Sequence, residues 1–226
     1  MAGSILQTVL GVDDSGTNAT TIAASITVTA GNHIIAHVGW SDSGAITATC
    51  SDGTSYTSGA ARVRDATEAQ SGQVFYLENA SGGSHPVTAT FSTTTGFRRI
   101  RLYEVSGLLT SSSLDQATGQ AQVTPGTGTD AISSGASSTT TNANDFVMGF
   151  AQDASNASPG SGTVSAGTGY TAALASVTMT GESKSVTTTG AQTATFTQSV
   201  AAARITHVVA FMESVARSQL LLMGVG

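Results

Sequence analysis

His33 and His37 stand four residues apart, the spacing that on a helix turns two imidazoles toward one zinc ion. The segment that carries them, NHIIAHVGW from Asn32 to Trp40, reads as a strand. Four residues of strand span about 13 Å, too far for one metal to bridge. Both histidines are therefore expected as sheet residues, with no metal between them. Asp13, Asp14, Asp42, Asp52, Asp65 and Asp130 could supply the oxygens that calcium needs, but none has the spacing of an EF-hand loop. They are expected in turns and solvated loops. Ser41 and Ser43 lie in GWSDSG, which lacks the glycine pattern of a nucleophile elbow. Glu78 and Glu104 are carboxylates on or near strands, the residue type a glycosidase pairs. Gly160-Ser161-Gly162 is no dinucleotide fingerprint, because Ser165 stands where the third glycine belongs. The sequons at Asn18, Asn79 and Asn156 are noise in a chain with no secretory signal. These readings give no catalytic residue, no metal ligand and no cofactor.

Aromatic residues are few. Trp40, Phe75, Tyr103, Phe150 and Phe211 sit among apolar strand neighbours and are expected in the core. Tyr56 and Tyr170, at matching turn-proximal positions, are the pair expected at the surface, where a sugar could stack. Of the eight Lys and Arg residues only Arg98, Arg99 and Arg101 cluster. With a net charge of −6, that excludes a duplex-binding face. The three arginines are expected on an exposed strand face with cross-strand carboxylate partners. Cys50 is single, so it forms no internal disulfide and is expected as a small buried hydrophobe. No segment approaches the length of a transmembrane helix, and MAGSILQTVLG lacks a basic n-region. The expected setting is a protein folded in a host cytoplasm and used outside it after lysis, or one exported by a signal-free secretion route.

The elements that would position these residues are strands. Charged residues make up only 10% of the chain, and Ser, Thr, Gly and Ala abound, as in short strands joined by tight turns. TATFSTTTGFRRI from Thr88 is echoed by TATFTQSVAAARI from Thr193, 193 − 88 = 105 residues later. Looser echoes join Asn32–Trp40 to Asn142–Phe150, and GTSYTSGA from Gly53 to GTGYTAAL from Gly167. In the first unit, strands are expected around Ile22–Val28, His33–Trp40, Gly44–Cys50, Val74–Glu78, His85–Phe91 and Phe97–Val105. In the second they are expected around Asp145–Ala151, Tyr170–Thr180, Ser185–Thr189, Ala191–Thr197 and Arg204–Met212. Residues 107–121 are expected as a linker, and 124–141 as loop plus one weak strand. The fold class is all-β, an antiparallel β-sandwich or jelly roll built from two pseudo-repeats, about 25–115 and 116–213.

The ends differ from this body. Residues 1–24 are expected as an arm with Ile5, Leu6, Val9 and Leu10 apolar. Residues 214–226 are expected as an apolar tail with Leu220, Leu221, Leu222, Met223 and Val225. Three consecutive leucines cannot all face one side of a strand. These nine residues are therefore the expected partner-binding set, in a homo-oligomer such as a trimer.

The run from the strand ending Gly39-Trp40 through SDGTSYTSGA, VFYLENASGGSHPVTATFS, RLYEVSGLL and SLDQA, followed by NDFVMGF, GTGYTAAL and VVAFMES, carries a resemblance. It resembles the two-repeat, jelly-roll-like β-sandwich proteins encoded by tailed phages and bacterial surface-protein genes, from about Ile26 to Met212. The resemblance implies a non-enzymatic virion protein at the capsid surface. Such a decoration or cement protein would bind the major capsid protein or other virion subunits, without nucleic acid or membrane. The alternative it implies is a receptor- or carbohydrate-binding adhesion module.

Overall fold

A computed structural model describes residues 2–122, 131–154, 163–174 and 178–214. Among them are sixteen strands and no helix. The first half holds β1 (Ser4–Asp13), β2 (Ala19–Val28), β3 (His33–Ser41), β4 (Ala48–Ser51), β5 (Thr57–Asp65), β6 (Gln70–Leu77), β7 (Gly83–Thr95) and β8 (Arg98–Ser106). The second holds β9 (Leu114–Gln122), β10 (Ala131–Ser133), β11 (Asp145–Asp153), β12 (Val164–Ala166), β13 (Thr171–Leu174), β14 (Met179–Val186), β15 (Thr195–Gln198) and β16 (Arg204–Met212). The first half forms the sheets β1-β8-β3-β6-β5 and β2-β7-β4, and the second forms β9-β16-β11-β14-β13 and β10-β15-β12. Raising each index of the first pair by eight gives the second pair. All named strand pairs are antiparallel.

Three main cores separate the sheets. Alternate residues of β3 (Ile34, Ala36, Val38 and Trp40) join Val87, Ala89 and Phe91 of β7 beneath the β2-β7-β4 sheet. The intervening Ile35 faces the other way, with Tyr103 and Val105, toward Phe146, Met148 and Phe150 of β11. On β11 the remaining residues, Val147 and Ala151, pack with Phe196 and Ile132 beneath the β10-β15-β12 sheet. The two five-stranded sheets thus lie back to back, each capped by a three-stranded sheet. This is why β3, β8, β11 and β16 are buried almost end to end, and why β3, β11 and β16 also read as largely apolar runs: both of their faces are covered.

The contact between the large sheets is reciprocal. β5 lies along β9 and β1 meets β13, while β6 meets β16 and Tyr103 of β8 meets Gly181 of β14. Close approach at the centre depends on glycine. Gly39 and Gly72 stand opposite each other on β3 and β6, and Gln152 of β11 inserts over both. A Cβ at either would come 2.7 Å from Gln152 Oε1, closer than real contacts allow.

Several expectations need correction. Residues 4–13 are not an arm: they form β1, paired with β8 along its length, because Ile5 and Val9 find apolar partners on the body. Residues 107–121 are only in part a linker, since β9 begins at Leu114 and occupies in its sheet the place β1 has in the other. The first pair of sheets therefore begins at Ser4, not at 25. Arg98, Arg99 and Arg101 have the expected carboxylate neighbours in part, but they are buried, not exposed. Arg98 pairs with Asp13, its register partner on β1, and Arg99 Nε donates to Asp14 at 2.7 Å. Arg99 Nη1 also reaches the carbonyl of Asp153, so this residue ties the first half to the second at 2.8 Å.

Candidate functional site

The polar residues that could do chemistry are committed to holding turns and sheets. Asp42 accepts hydrogen bonds from the backbone N–H groups of Gly44 and Ile46, from Ser71 Oγ, and from Arg62 Nη1 at 2.7 Å. Burial opposes its ionisation, but these donors hold its carboxyl below the ordinary aspartate value. Asp42→Ala would leave Arg62 and three further donors without their acceptor. It is expected to cost about 3–5 kcal/mol, read as a shift in the urea midpoint. Asp52 pairs with His85 and accepts from Thr54 N, and Asp65 accepts from Thr67 N and Glu68 N. Asp130 lies outside the described residues.

The carboxylates that could have formed a catalytic pair serve separate joints. Glu78 takes Ser112 N, Ser113 N and Ser113 Oγ. Glu104 takes Gln7 Nε2, Thr29 N and Asn32 Nδ2. Glu182 is buried beneath Gly167 N and Thr195 N, and burial pushes its pKa up to about 7. Asp145 is raised to about 6 by burial first and by the charge of Asp115 second.

His33, His37 and His207 occupy the space between the large sheets. His33 Nε2 lies 3.0 Å from Ser113 Oγ. His37 faces His207 of β16 with ring centroids 5.7 Å apart, and Phe150 at 5.4 Å. Neither nitrogen of His37 has a hydrogen-bond partner, while the ring of His207 lies beside the backbone of Ala61 and Gly72. Burial lowers both pKa values, and His207 and Arg101 lower that of His37 further. Among the described residues no three His, Cys, Asp or Glu side chains gather as metal ligands.

Tyr56 is buried, contrary to the expected surface pair, and its hydroxyl donates to Asp52 at 3.3 Å. Tyr170 is half-buried, its hydroxyl bonded to the Thr193 carbonyl and Lys184 Nζ 4.3 Å above its ring. The two do not form an exposed stacking platform.

What the described surface does offer is β1. It is the edge of its sheet, and between Ile5 and Gln7 its register breaks, so Leu6 bulges outward without a partner. Leu6 is 53% exposed and Leu10 36%. Ile5 and Val9 turn inward, Ile5 to the core between the large sheets and Val9 to the first core. The expected set Ile5, Leu6, Val9 and Leu10 therefore divides into two anchors and two exposed residues. Val12, 43% exposed beside Leu10, was not anticipated from sequence; its place two residues along the same strand is the signal that could have found it.

β1 is open because the two halves are unequal. β5 has nine residues to lay along β9, whereas β13 has four to lay along β1. A groove of about 370 Å³ remains beside the start of β1, lined by Gly3, Ile5, Phe146, Ala172, Ser183 and Ser185. The edge strand carries no Lys or Pro, the usual protection against pairing with another chain. Leu220, Leu221, Leu222, Met223 and Val225 lie outside the described residues.

Fold and surface define an all-β sandwich with an apolar sheet edge on its surface. No protein-family model and no curated protein matches the chain.

Proposed function

We propose that this chain is a non-enzymatic structural protein of a phage particle, one that decorates and cements the capsid by docking on the major capsid protein. The observation that carries this reading is the apolar edge of β1, with Leu6, Leu10 and Val12 in water on a strand that has no gatekeeping charge at its centre. An edge of this kind is a liability in a lone protein and an asset in one that works against a partner surface. The role also suits the polar residues, which are used up in turns and joints. The strand order shared by the two halves, with the TATF echo, supports one β-unit used twice. The leucine-rich segment 220–225 is the second half of the proposed contact, and a trimer is the proposed assembly. A carbohydrate-binding reading has less support, since Tyr56 is inside the protein.

The test is co-sedimentation with purified capsids. A variant carrying Leu6→Ser, Leu10→Ser and Val12→Ser should keep the melting temperature of the parent. Each side chain, half of it already dry, would contribute roughly 1 kcal/mol on docking, so the triple variant should bind about a hundredfold more weakly. Deleting residues 218–226 should weaken binding independently. Unchanged binding in both variants would overturn the assignment of these surfaces.

A further inference from the structure

β14 runs on past its edge neighbour β13. It pairs with β11 from Met179 to Val186, whereas β13 covers it only from Gly181 to Ser183. Lys184, Ser185 and Val186 therefore form a sheet edge, and among the described residues no strand pairs with them on the open side. That edge borders the groove beside the start of β1. The apolar lining of the groove is Ile5, Phe146 and Ala173, where Ile5 and Ala173 pack on the core between the large sheets. A Cβ on Gly3 would stand 2.4 Å from the Phe146 ring, so the start of the chain lies directly on that core. On the opposite side of the sandwich the same core is closed, because β5 runs along β9 and brings Ala60, Leu114 and Ala117 over it.

The described chain leaves the body at this groove. Glu213, just past β16, accepts a hydrogen bond from Gly3 N at 2.9 Å, and Ser185 Oγ donates to the same oxygen. Gly3 and Ser185 both line the groove, so one carboxylate bridges its two rims. After Ser214 come 226 − 214 = 12 residues, VARSQLLLMGVG, all outside the described residues. Residues 215–219 separate the rim from Leu220, and at about 3.3 Å each they can turn the chain back into the groove. A segment tethered this closely meets its own groove at an effective concentration in about the millimolar range, far above that of a neighbour's tail in dilute solution. We infer that residues 220–225 add as a short strand to the free edge of β14 in their own chain. Backbone groups of residues 184–186 would supply the hydrogen bonds. Alternate apolar side chains would enter over Ile5, Phe146 and Ala173, and the others would face out beside the start of β1. This inference concerns the free chain and stands whatever β1 docks against.

Lys184 is the only lysine in the chain and lines the groove, so its acylation reports whether the groove is filled. The full chain and a variant lacking residues 218–226 are pulsed with the N-hydroxysuccinimide ester of acetic acid, with a free lysine peptide in the same tube as reference. The modified fragment is then counted by mass spectrometry. Lys184 should react roughly tenfold faster in the shortened chain, and hydrogen exchange at residues 184–186 should quicken with it. A second variant, carrying Leu220→Ser, Leu221→Ser and Leu222→Ser, keeps the full length and should match the deletion. Protection in the full chain should be the same at low and at high protein concentration. Equal Lys184 reactivity in all three chains would overturn the inference. Protection that grows with protein concentration would also overturn it, and would assign the groove to the tail of a neighbouring copy.

Discussion

Acidification below pH 5 should unfold this protein, with the space between the two large sheets as the weak point. His33 and His207 are pushed down to about 4 by burial, and His37 is pushed down as well by burial, His207 and Arg101. Their unfolded pKa is near 6.5, so between pH 6.5 and 4 the unfolded chain binds protons that the folded chain refuses. Stability is therefore complete above pH 6.5 and is lost as the pH falls through that window. A shift from 6.5 to about 4 corresponds to roughly 3 kcal/mol for each of His33 and His207 by pH 4, against a total of about 5–15 kcal/mol for a typical domain. Glu182 at about 7 and Asp145 at about 6 act in the opposite sense, gaining stability as the pH falls toward 4.5. Below that they have nothing further to give. Asp42, Glu78, Glu104 and Asp115, all held below their ordinary values, then begin to protonate and add to the loss. Urea denaturation at a series of pH values should show a plateau above pH 6 and a steep fall below 5. His207→Leu should remove roughly 3 kcal/mol of that fall. Parallel pH profiles for parent and variant would show that the facing histidines do not cause it.

Phe91→Ala and Phe196→Ala should each cost about 3–5 kcal/mol. Phe91 lies on β7 and stacks on Trp40 with centroids 5.5 Å apart. Phe196 lies on β15, fully enclosed by Ile132, Ala194 and Val208. Neither site can collapse cheaply, because each phenylalanine is wedged between a three-stranded and a five-stranded sheet. The two cores are separated by the large sheets and share no residue, so the losses should add in the double variant. Chemical denaturation checks this. A loss below about 1 kcal/mol at either position would mean that its layer is not packed as described.

The strands that the sequence made legible are those covered on both faces. β3, β11 and β16 announce themselves by apolar runs, β8 does so less with its three arginines and Glu104, and the TATF echo falls on β7 and β15, at matching places in their sheets. One echo misleads. Matching Asn32–Trp40 to Asn142–Phe150 puts Gly39 on Gly149, yet a side chain at Gly39 would meet Gln152 between the large sheets, whereas one at Gly149 would meet Ala194 beneath the small sheet. A slip by an odd number of residues moves every side chain to the other face, so the echo does not mark equivalent positions. β1, β5 and β9 were missed for a different reason. They are edge strands, β5 with two register breaks and β9 with nearly every residue half-buried, so neither alternates cleanly. The buried state of Arg98, Arg99 and Arg101 was also hidden, because their partners Asp13, Asp14 and the Asp153 carbonyl come from distant parts of the chain. Of the proposed docking surface, sequence supplied Leu6 and Leu10 but neither Val12 nor the division of the apolar set into anchors and exposed residues. Only the bulge at Leu6 and the shortness of β13 decide which of them face water.

The most direct measurement is the copy number of this chain in a purified phage particle, set against that of the main shell subunit. A cementing role requires copies in fixed proportion to the shell lattice, released when Leu6, Leu10 and Val12 are made polar. A few copies per particle, confined to one vertex or to the tail, would contradict that role and point to adhesion instead.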